Sequence, residues 1–226
     1  MRTSGESQRR SRKQRLFLVD DHPVTNDGLA QLVSFQDDLT VCGQATSAAL
    51  AIAGIDKLQP DLAVVDLSLG RSSGVELIKH LTTRHPRLPV LVLSVHDEDL
   101  YAPRALRAGA RGYVMKQAPT SEVMRAIRAV LSGEIYLSEP MRTRLLEKHM
   151  RRSFRPHRTE LDTLSDRELE IFELLGHGHT TRAIASCLHL SVSTVEAHRA
   201  HIKEKLKLRN ATQLMRRAVE WINRRL

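Results

Sequence analysis

The chain has 226 residues, of which 41% are hydrophobic, and a formal charge of +9. That length suits two modest domains better than one large one, and the apolar share is enough for real cores. No apolar run approaches the roughly 18 residues of a membrane span, and no apolar stretch follows the basic N-terminus as a signal peptide requires. Cys42 and Cys187 form no metal or redox spacing, so the expectation is a cytoplasmic protein with both cysteines reduced and packed.

Residues 1–14 are polar and basic with no apolar periodicity, and are expected to be a disordered tail. Residues 1–15 carry six Lys/Arg against one Glu, and residues 16–138 carry 11 against 14 acidic residues. Residues 155–226 carry 13 against nine. A change of sign along the chain fits an acidic domain joined to one that meets a polyanion.

From Leu16 to Leu131 two periodicities alternate. Apolar, β-branched runs at 16–19, 39–43, 62–65, 90–93 and 112–114 predict strands, and the stretches near 23–35, 47–58, 74–83, 99–108 and 120–131 predict helices. Gly109 and Gly133 follow the last two helical stretches, where a C-cap favours a left-handed residue. Pro103 inside 99–108 predicts a late start for that helix, near Tyr101. Five strand-helix units imply an α/β doubly wound five-stranded parallel sheet.

In such a sheet the working residues sit where strands end at the carboxyl edge. Asp20 and Asp21 close the first strand, Asp66 the third, Ser94 the fourth, and Lys116 follows the fifth. These ends are expected to converge on one site, with Asp66 as the reacting group. Two carboxylates about 4 Å apart repel by about 4 kcal/mol at an effective dielectric of about 20. Three together call for a cation, and carboxylates with backbone oxygen and water suit Mg²⁺. A divalent ion beside Lys116 is what a phosphoryl group requires, and a carboxylate attacking phosphorus gives an acyl phosphate. A haloacid-dehalogenase-like phosphatase would want Asp-x-Asp at the first strand, which Asp20-Asp21-His22 does not supply.

Residues 139–163 break the pattern. Pro140 is placed to open a helix at its first turn, with Met141, Leu145, Leu146 and Met150 on one stripe. Residues 151–156 follow as an exposed linker. From Leu164 the chain is helical only. Ser165 and Glu168 have capping-box spacing, and so do Ser193 and Glu196. The first box opens a helix to about Leu175, the second a helix to about Leu206, and a short helix from Thr180 to Leu188 lies between them. Asn210 or Thr212 caps a fourth, with Leu214, Ala218, Trp221 and Ile222 on one side. The middle pair has a helix-turn-helix layout. On a helical wheel Val195, Ile202 and Leu206 share the buried face, while Glu196, Ala197, Ala200 and Lys203 lie opposite or to the side.

Taken together, Asp20-Asp21, Asp66, Gly74, Ser94, Tyr113 and Lys116 resemble the receiver domain of two-component response regulators. The resemblance implies that Asp66 accepts a phosphoryl group from a sensor histidine kinase. It implies Mg²⁺ held directly by Asp21, Asp66 and the Ser68 carbonyl, and by Asp20 through water. Ser94 and Tyr113 would be the switch pair, and Lys116 would bind the phosphoryl group. Gly70 departs from the pattern, standing where a proline is usual and loosening that loop.

Leu164-Ser165-x-Arg167-Glu168, Ile184-Ala185-x-x-Leu188, Ser191-x-x-Thr194-Val195-x-x-His198 and Lys205-Leu206 resemble LuxR-type domains. Both domains together are similar to the NarL/FixJ group of transcription regulators. The expected layout is a tail at 1–14, a receiver at 15–135, a linker at 136–160 and a DNA-binding domain at 161–226. The resemblance implies double-stranded promoter DNA as partner, a homodimer on phosphorylation, RNA polymerase as a further partner, and no enzyme activity of its own. Thr194, Glu196, Ala197, His198, Ala200 and Lys203 are the candidate DNA-binding residues. The resemblance implies that Glu196, Ala197 and Ala200 face the groove and that His198 meets a phosphate, and Lys203 is expected to meet one too. Glu196 has two readings, an acceptor for a cytosine amino group or the end of the Ser193 capping box. Arg199 either meets a phosphate or pairs with Glu168 or Glu170. The alternative function is a receiver insensitive to phosphorylation that only docks partners.

Overall fold

A computed structural model of the chain describes residues 12–70, 72–152 and 160–223. The tail expected up to residue 11 and linker residues 153–156 lie outside the described residues. The described residues divide into two compact units, one up to residue 69 together with 76–138 and the other made of the rest.

The first unit is built on five strands: β1 (Gln14–Val19), β2 (Leu39–Ala45), β3 (Leu62–Val65), β4 (Val90–Ser94) and β5 (Gly112–Met115). They form one parallel sheet in the order β2-β1-β3-β4-β5, the doubly wound arrangement. β1 starts at Gln14, inside the stretch expected to be tail. Its amide donates to the Asp38 carbonyl at 2.8 Å and the residue pairs with Leu39, so sheet pairing recruits a polar residue that periodicity leaves out. The helices are α1 (Pro23–Ser34), α2 (Ala48–Leu58), α3 (Gly74–Arg84), α4 (Glu98–Ala108) and α5 (Thr120–Leu131).

Strands covered on both faces carry continuous apolar runs rather than alternating ones. Leu16, Leu18, Leu62, Val64, Leu91, Leu93 and Val114 pack with Leu29 and Val33 of α1 and Val123, Ile127 and Val130 of α5. Phe17 alternates to the other face and is 2% exposed. Glycines make room for its ring: a Cβ at Gly43 would lie 2.6 Å from it and one at Gly54 of α2 2.5 Å. Gly54→Val is therefore expected to destabilise this unit by about 1–3 kcal/mol, as overpacking does. Urea unfolding followed on this unit's own transition measures it, and an unmoved midpoint would mean that the ring swings aside freely.

α4 does not start late. Asp97 caps it by accepting from the Asp99 amide, and the helix runs from Glu98 through Pro103, whose missing N–H only removes one interior bond. Beyond α5, Tyr136 lies beside β5. Its carbonyl accepts from the Tyr113 amide at 2.9 Å and its amide donates to the Arg111 carbonyl at 3.0 Å. Ser138 then donates through its amide and hydroxyl to the Glu98 carboxylate, at 3.0 and 2.5 Å.

The second unit holds α6 (Glu139–Arg152), α7 (Asp166–Gly176), α8 (Thr181–Cys187), α9 (Val192–Lys205) and α10 (Ala211–Asn223). Pro140 sits in the first turn of α6 as expected, but the helix continues through Arg151 and Arg152, which were expected to be linker. Leu169, Phe172, Leu175, Ile184, Val195, Ile202, Leu214 and Ala218 are buried. Gly176 lets α7 approach α10, since a Cβ there would lie 2.7 Å from the Ala218 carbonyl oxygen. Cys187 is exposed and Cys42 half-buried, so the expectation that both are packed fails for Cys187. Among the described residues, no helix is long and apolar enough to cross a membrane.

Candidate functional site

Parallel register brings the acidic strand ends together. Val19 of β1 is opposite Val65 of β3, so Asp20 and Asp66, the residue after each strand, emerge side by side. The Asp66 amide donates to the Val19 carbonyl at 2.8 Å. On the other flank Ser94 is opposite Met115, and the Lys116 amide donates to the Ser94 carbonyl at 2.8 Å.

Lys116 ties the cluster. Its ammonium lies 2.5 Å from Asp20 Oδ2 and 2.7 Å from Asp66 Oδ2. Burial pushes the Lys116 pKa down, but Asp66 and Asp20 together hold it above its ordinary value. Asp66 Oδ1 accepts from the Leu67 amide at 2.6 Å, and Asp20 Oδ1 from the His22 amide at 2.9 Å. Asp20 and Asp66 are buried, at 4% and 2% exposure. Asp21 Oδ1 is 2.8 Å from His22 Nδ1, but the alignment makes no hydrogen bond, and this buried oxygen has no donor among the described residues.

Three carboxylates against one ammonium leave an excess of negative charge, and Asp21 Oδ1 accepts no hydrogen bond among the described residues. A hard divalent cation bound by oxygen fits both facts. Asp20, Asp21 and Asp66 are the groups on this edge able to hold it; Ser68 lies two residues beyond Asp66.

Tyr113 and Ser94 are both fully buried. The Tyr113 hydroxyl donates to the His96 carbonyl at 2.8 Å. Burial, with Asp66 nearby, raises the Tyr113 pKa far above its ordinary value, so the phenol stays protonated and is a donor throughout the working pH range. His96 is a residue that sequence reasoning missed. Its Nε2 lies 2.9 Å from Ser68 Oγ and its ring 4.5 Å from that of Tyr101. Its signal was its place two residues after Ser94, in the loop at the strand end. Asn26 was also missed. Buried beneath the site, it donates to the Asp20 carbonyl at 2.9 Å and the Ala45 carbonyl at 3.3 Å, holding two strand ends together. Gly70 takes φ 57°, a left-handed conformation closed to proline.

The helical unit carries a second candidate site on α9. Its N-cap is Ser191, whose hydroxyl accepts from the Thr194 amide at 3.0 Å, not the expected Ser193. Glu196 therefore completes no capping box. Instead its Oε1 accepts from the Thr181 hydroxyl of α8 at 3.0 Å and from Arg199 Nη1 at 2.9 Å, and Arg199 also bonds Thr181. So Arg199 pairs with Glu196, and neither Glu168 nor Glu170 is its partner. Those two are taken by Lys205 at 2.6 Å and Arg167 at 2.6 Å. Val195, Ile202 and Leu206 are buried, while Glu196, Ala197 and Ala200 are exposed and Thr194, His198 and Lys203 half-buried. Thr181 had no sequence signal as a functional residue, since it meets Glu196 only through packing of α8 on α9.

Glu168 of α7 anchors the unit. Burial pushes its carboxyl up, but the Lys205 ammonium and the Ser165 amide hold it below the usual range. Burial lowers the His198 pKa, against the pull of Glu168.

Residues 16–128 match the response regulator receiver domain family, and residues 162–218 match the bacterial regulatory proteins of the luxR family. The oxygen regulatory protein NreC of Staphylococcus carnosus is 33% identical over 210 residues, 91% of this chain and 97% of that protein. NreC of Staphylococcus haemolyticus is 32% identical over 213 residues, again 91% and 97%. Among solved structures, the response regulator ChrA of a heme-sensing two-component system is 32% identical with a TM-score of 0.50, over 92% of this chain and 98% of that one. RcsB, solved as two dimers bound to two parallel DNAs, is 25% identical with a TM-score of 0.56, over 90% and 97%.

Proposed function

Since the chain belongs to the response regulators that join a receiver domain to a LuxR-type helix-turn-helix, and is a DNA-binding transcription regulator, we propose that phosphorylation of Asp66 controls its grip on promoter DNA. The observation that carries this reading is the convergence of Asp20, Asp66 and Lys116 within hydrogen-bonding distance at the carboxyl edge of the sheet. The donor is the phosphohistidine of a sensor histidine kinase. A carboxylate oxygen of Asp66 attacks phosphorus, the P–N bond breaks with its electron pair going to the imidazole, and an aspartyl phosphate forms. Lys116 holds the transferred group. Asp21, Asp66 and the Ser68 carbonyl would hold Mg²⁺ directly and Asp20 through water, and the ion would supply positive charge to the phosphoryl oxygens. The receiver lies at 15–135, a linker at 136–160 and the DNA-binding domain at 161–226, after a basic tail. The protein works in the cytoplasm, with no enzyme activity of its own and RNA polymerase as a further partner.

Asp21→Ala is expected to weaken Mg²⁺ binding more than Asp20→Ala. Asp21 Oδ1 accepts no hydrogen bond among the described residues, whereas Asp20 already has Lys116 on one oxygen and the His22 amide on the other. A Mg²⁺ titration by isothermal calorimetry measures both, and equal losses would remove the distinction.

On α9, the exposed Glu196, Ala197 and Ala200 face the bases, and Thr194, His198 and Lys203 meet the backbone. Footprinting of phosphorylated protein on genomic fragments tests the assignment, and protection that ignores phosphorylation would favour the docking-module alternative. Lys203→Ala should weaken binding to all sequences alike and flatten the salt slope by roughly one unit. Ala197→Lys should instead change which sequences a selection returns, and recovery of the wild-type motif would mean the helix presents another face.

A further inference from the structure

We propose that Glu168 of α7, with His198 and His201 of α9, forms a site for a borderline divalent cation such as Zn²⁺. One donor atom from each of the three lies within 4.8 Å of the other two. The histidines are three apart on α9, which puts them on one face, and Glu168 comes from a different helix and is 4% exposed. Two histidines with one carboxylate are a three-ligand zinc set, with the fourth position open to water.

Two further features prepare the site. His198 Nδ1 is buried and has no hydrogen-bond partner among the described residues, a situation that either a donor or a metal would relieve. The Ser165 amide at 2.7 Å and the Lys205 ammonium at 2.6 Å both bond Glu168 Oε2. The amide orients the carboxylate, as an outer partner of a metal ligand does, whereas the Lys205 ammonium is a cation already seated on it. Zinc donors sit about 2.0–2.2 Å from the metal, so the three groups must close on the ion. His201 is exposed and can rotate to do so. Glu168, Arg167, His201 and Lys205 are the charged or titratable groups that act on the His198 ring. Arg167 and Lys205 oppose a dication, and Lys205 competes with it for Glu168.

The ion would tie α9 to α7 and occupy His198. On the function proposed above, His198 is also a phosphate contact, so zinc and DNA would compete for it. The site itself does not rest on that reading.

The test titrates Zn²⁺ into the full chain against a chromogenic chelator, without DNA. His201→Asn is expected to weaken one zinc equivalent by about tenfold or more, on the scale of lost metal-site interactions, and His198→Gln to do the same. Lys205→Gln is expected to tighten it by removing the rival cation, a gain that a merely structural lysine would not produce. Zinc held elsewhere, at Asp20, Asp21 and His22 for example, is common to all variants and cancels. Zinc binding unchanged in both histidine variants would overturn the proposal. A chain that binds zinc here but no DNA would overturn the DNA reading and leave the site standing.

Discussion

Asp66→Asn is expected to take up no phosphoryl group from acetyl phosphate or a phosphoramidate with Mg²⁺, while folding as the wild type does. An amide is not a nucleophile toward phosphorus, so the loss should be complete rather than partial. The fold should survive because Lys116 keeps Asp20 at 2.5 Å, and because one carboxylate fewer relieves repulsion within the cluster. The variant should therefore melt at or above the wild-type temperature. Intact-mass measurement and Phos-tag mobility report the transfer, and thermal unfolding reports the fold. Phosphoryl uptake that persists in the variant would mean that another residue is the acceptor. Loss of uptake together with a lowered melting temperature would mean that Asp66 acts as a structural partner of Lys116 first.

Ser94→Ala is expected to separate phosphorylation from its consequences. The wild type, once phosphorylated, should gain both dimer fraction and DNA affinity. The variant should still be phosphorylated on Asp66 but gain neither. The phosphoryl group is accepted on one unit and the candidate DNA-binding helix belongs to the other, so coupling between them calls for an element with two arrangements. Ser94 is fully buried beside the acceptor strand, and Tyr113 reaches the same loop through the His96 carbonyl. From His96 the chain enters α4, whose first residue, Glu98, holds Ser138 by two hydrogen bonds. Ser138 is the residue before α6. Movement of Ser94 and Tyr113 toward the phosphoryl group would thus strain the point where the chain leaves the sheet. Driving such a switch from 1:99 to 99:1 takes about 5.5 kcal/mol of differential stabilisation. Two linked DNA-binding domains add apparent affinity through effective concentration. Sedimentation and DNA titration of phosphorylated wild type and variant measure the two gains. A Ser94→Ala protein that dimerises and binds DNA like the wild type would remove this hydroxyl from the switch. No change in mass or affinity in the phosphorylated wild type would leave the docking-module reading.

The sequence by itself determined the sheet and the acidic edge. Strands buried on both faces must be apolar throughout, so each carboxylate or lysine that interrupts such a run marks a strand end. Asp20, Asp66, Ser94 and Lys116 are all at those ends. It also determined which face of α9 is buried, since Val195, Ile202 and Leu206 recur at helical spacing and are the residues withdrawn from water. What only the tertiary structure decided is the choice of partner. Glu196 reads locally as the end of a capping box, yet Thr181 from α8 and Arg199 take its carboxylate. Arg199 could not be paired from spacing alone, nor could His198 and His201 be set beside Glu168, some 30 residues away in the chain. Asp97 caps α4 in spite of Pro103, where the proline alone argued for a later start. Periodicity reports how deeply a position is buried, because burial repeats with the geometry of its own element. Which polar atoms meet depends on distances between elements far apart in the chain, and packing of the whole unit sets those distances.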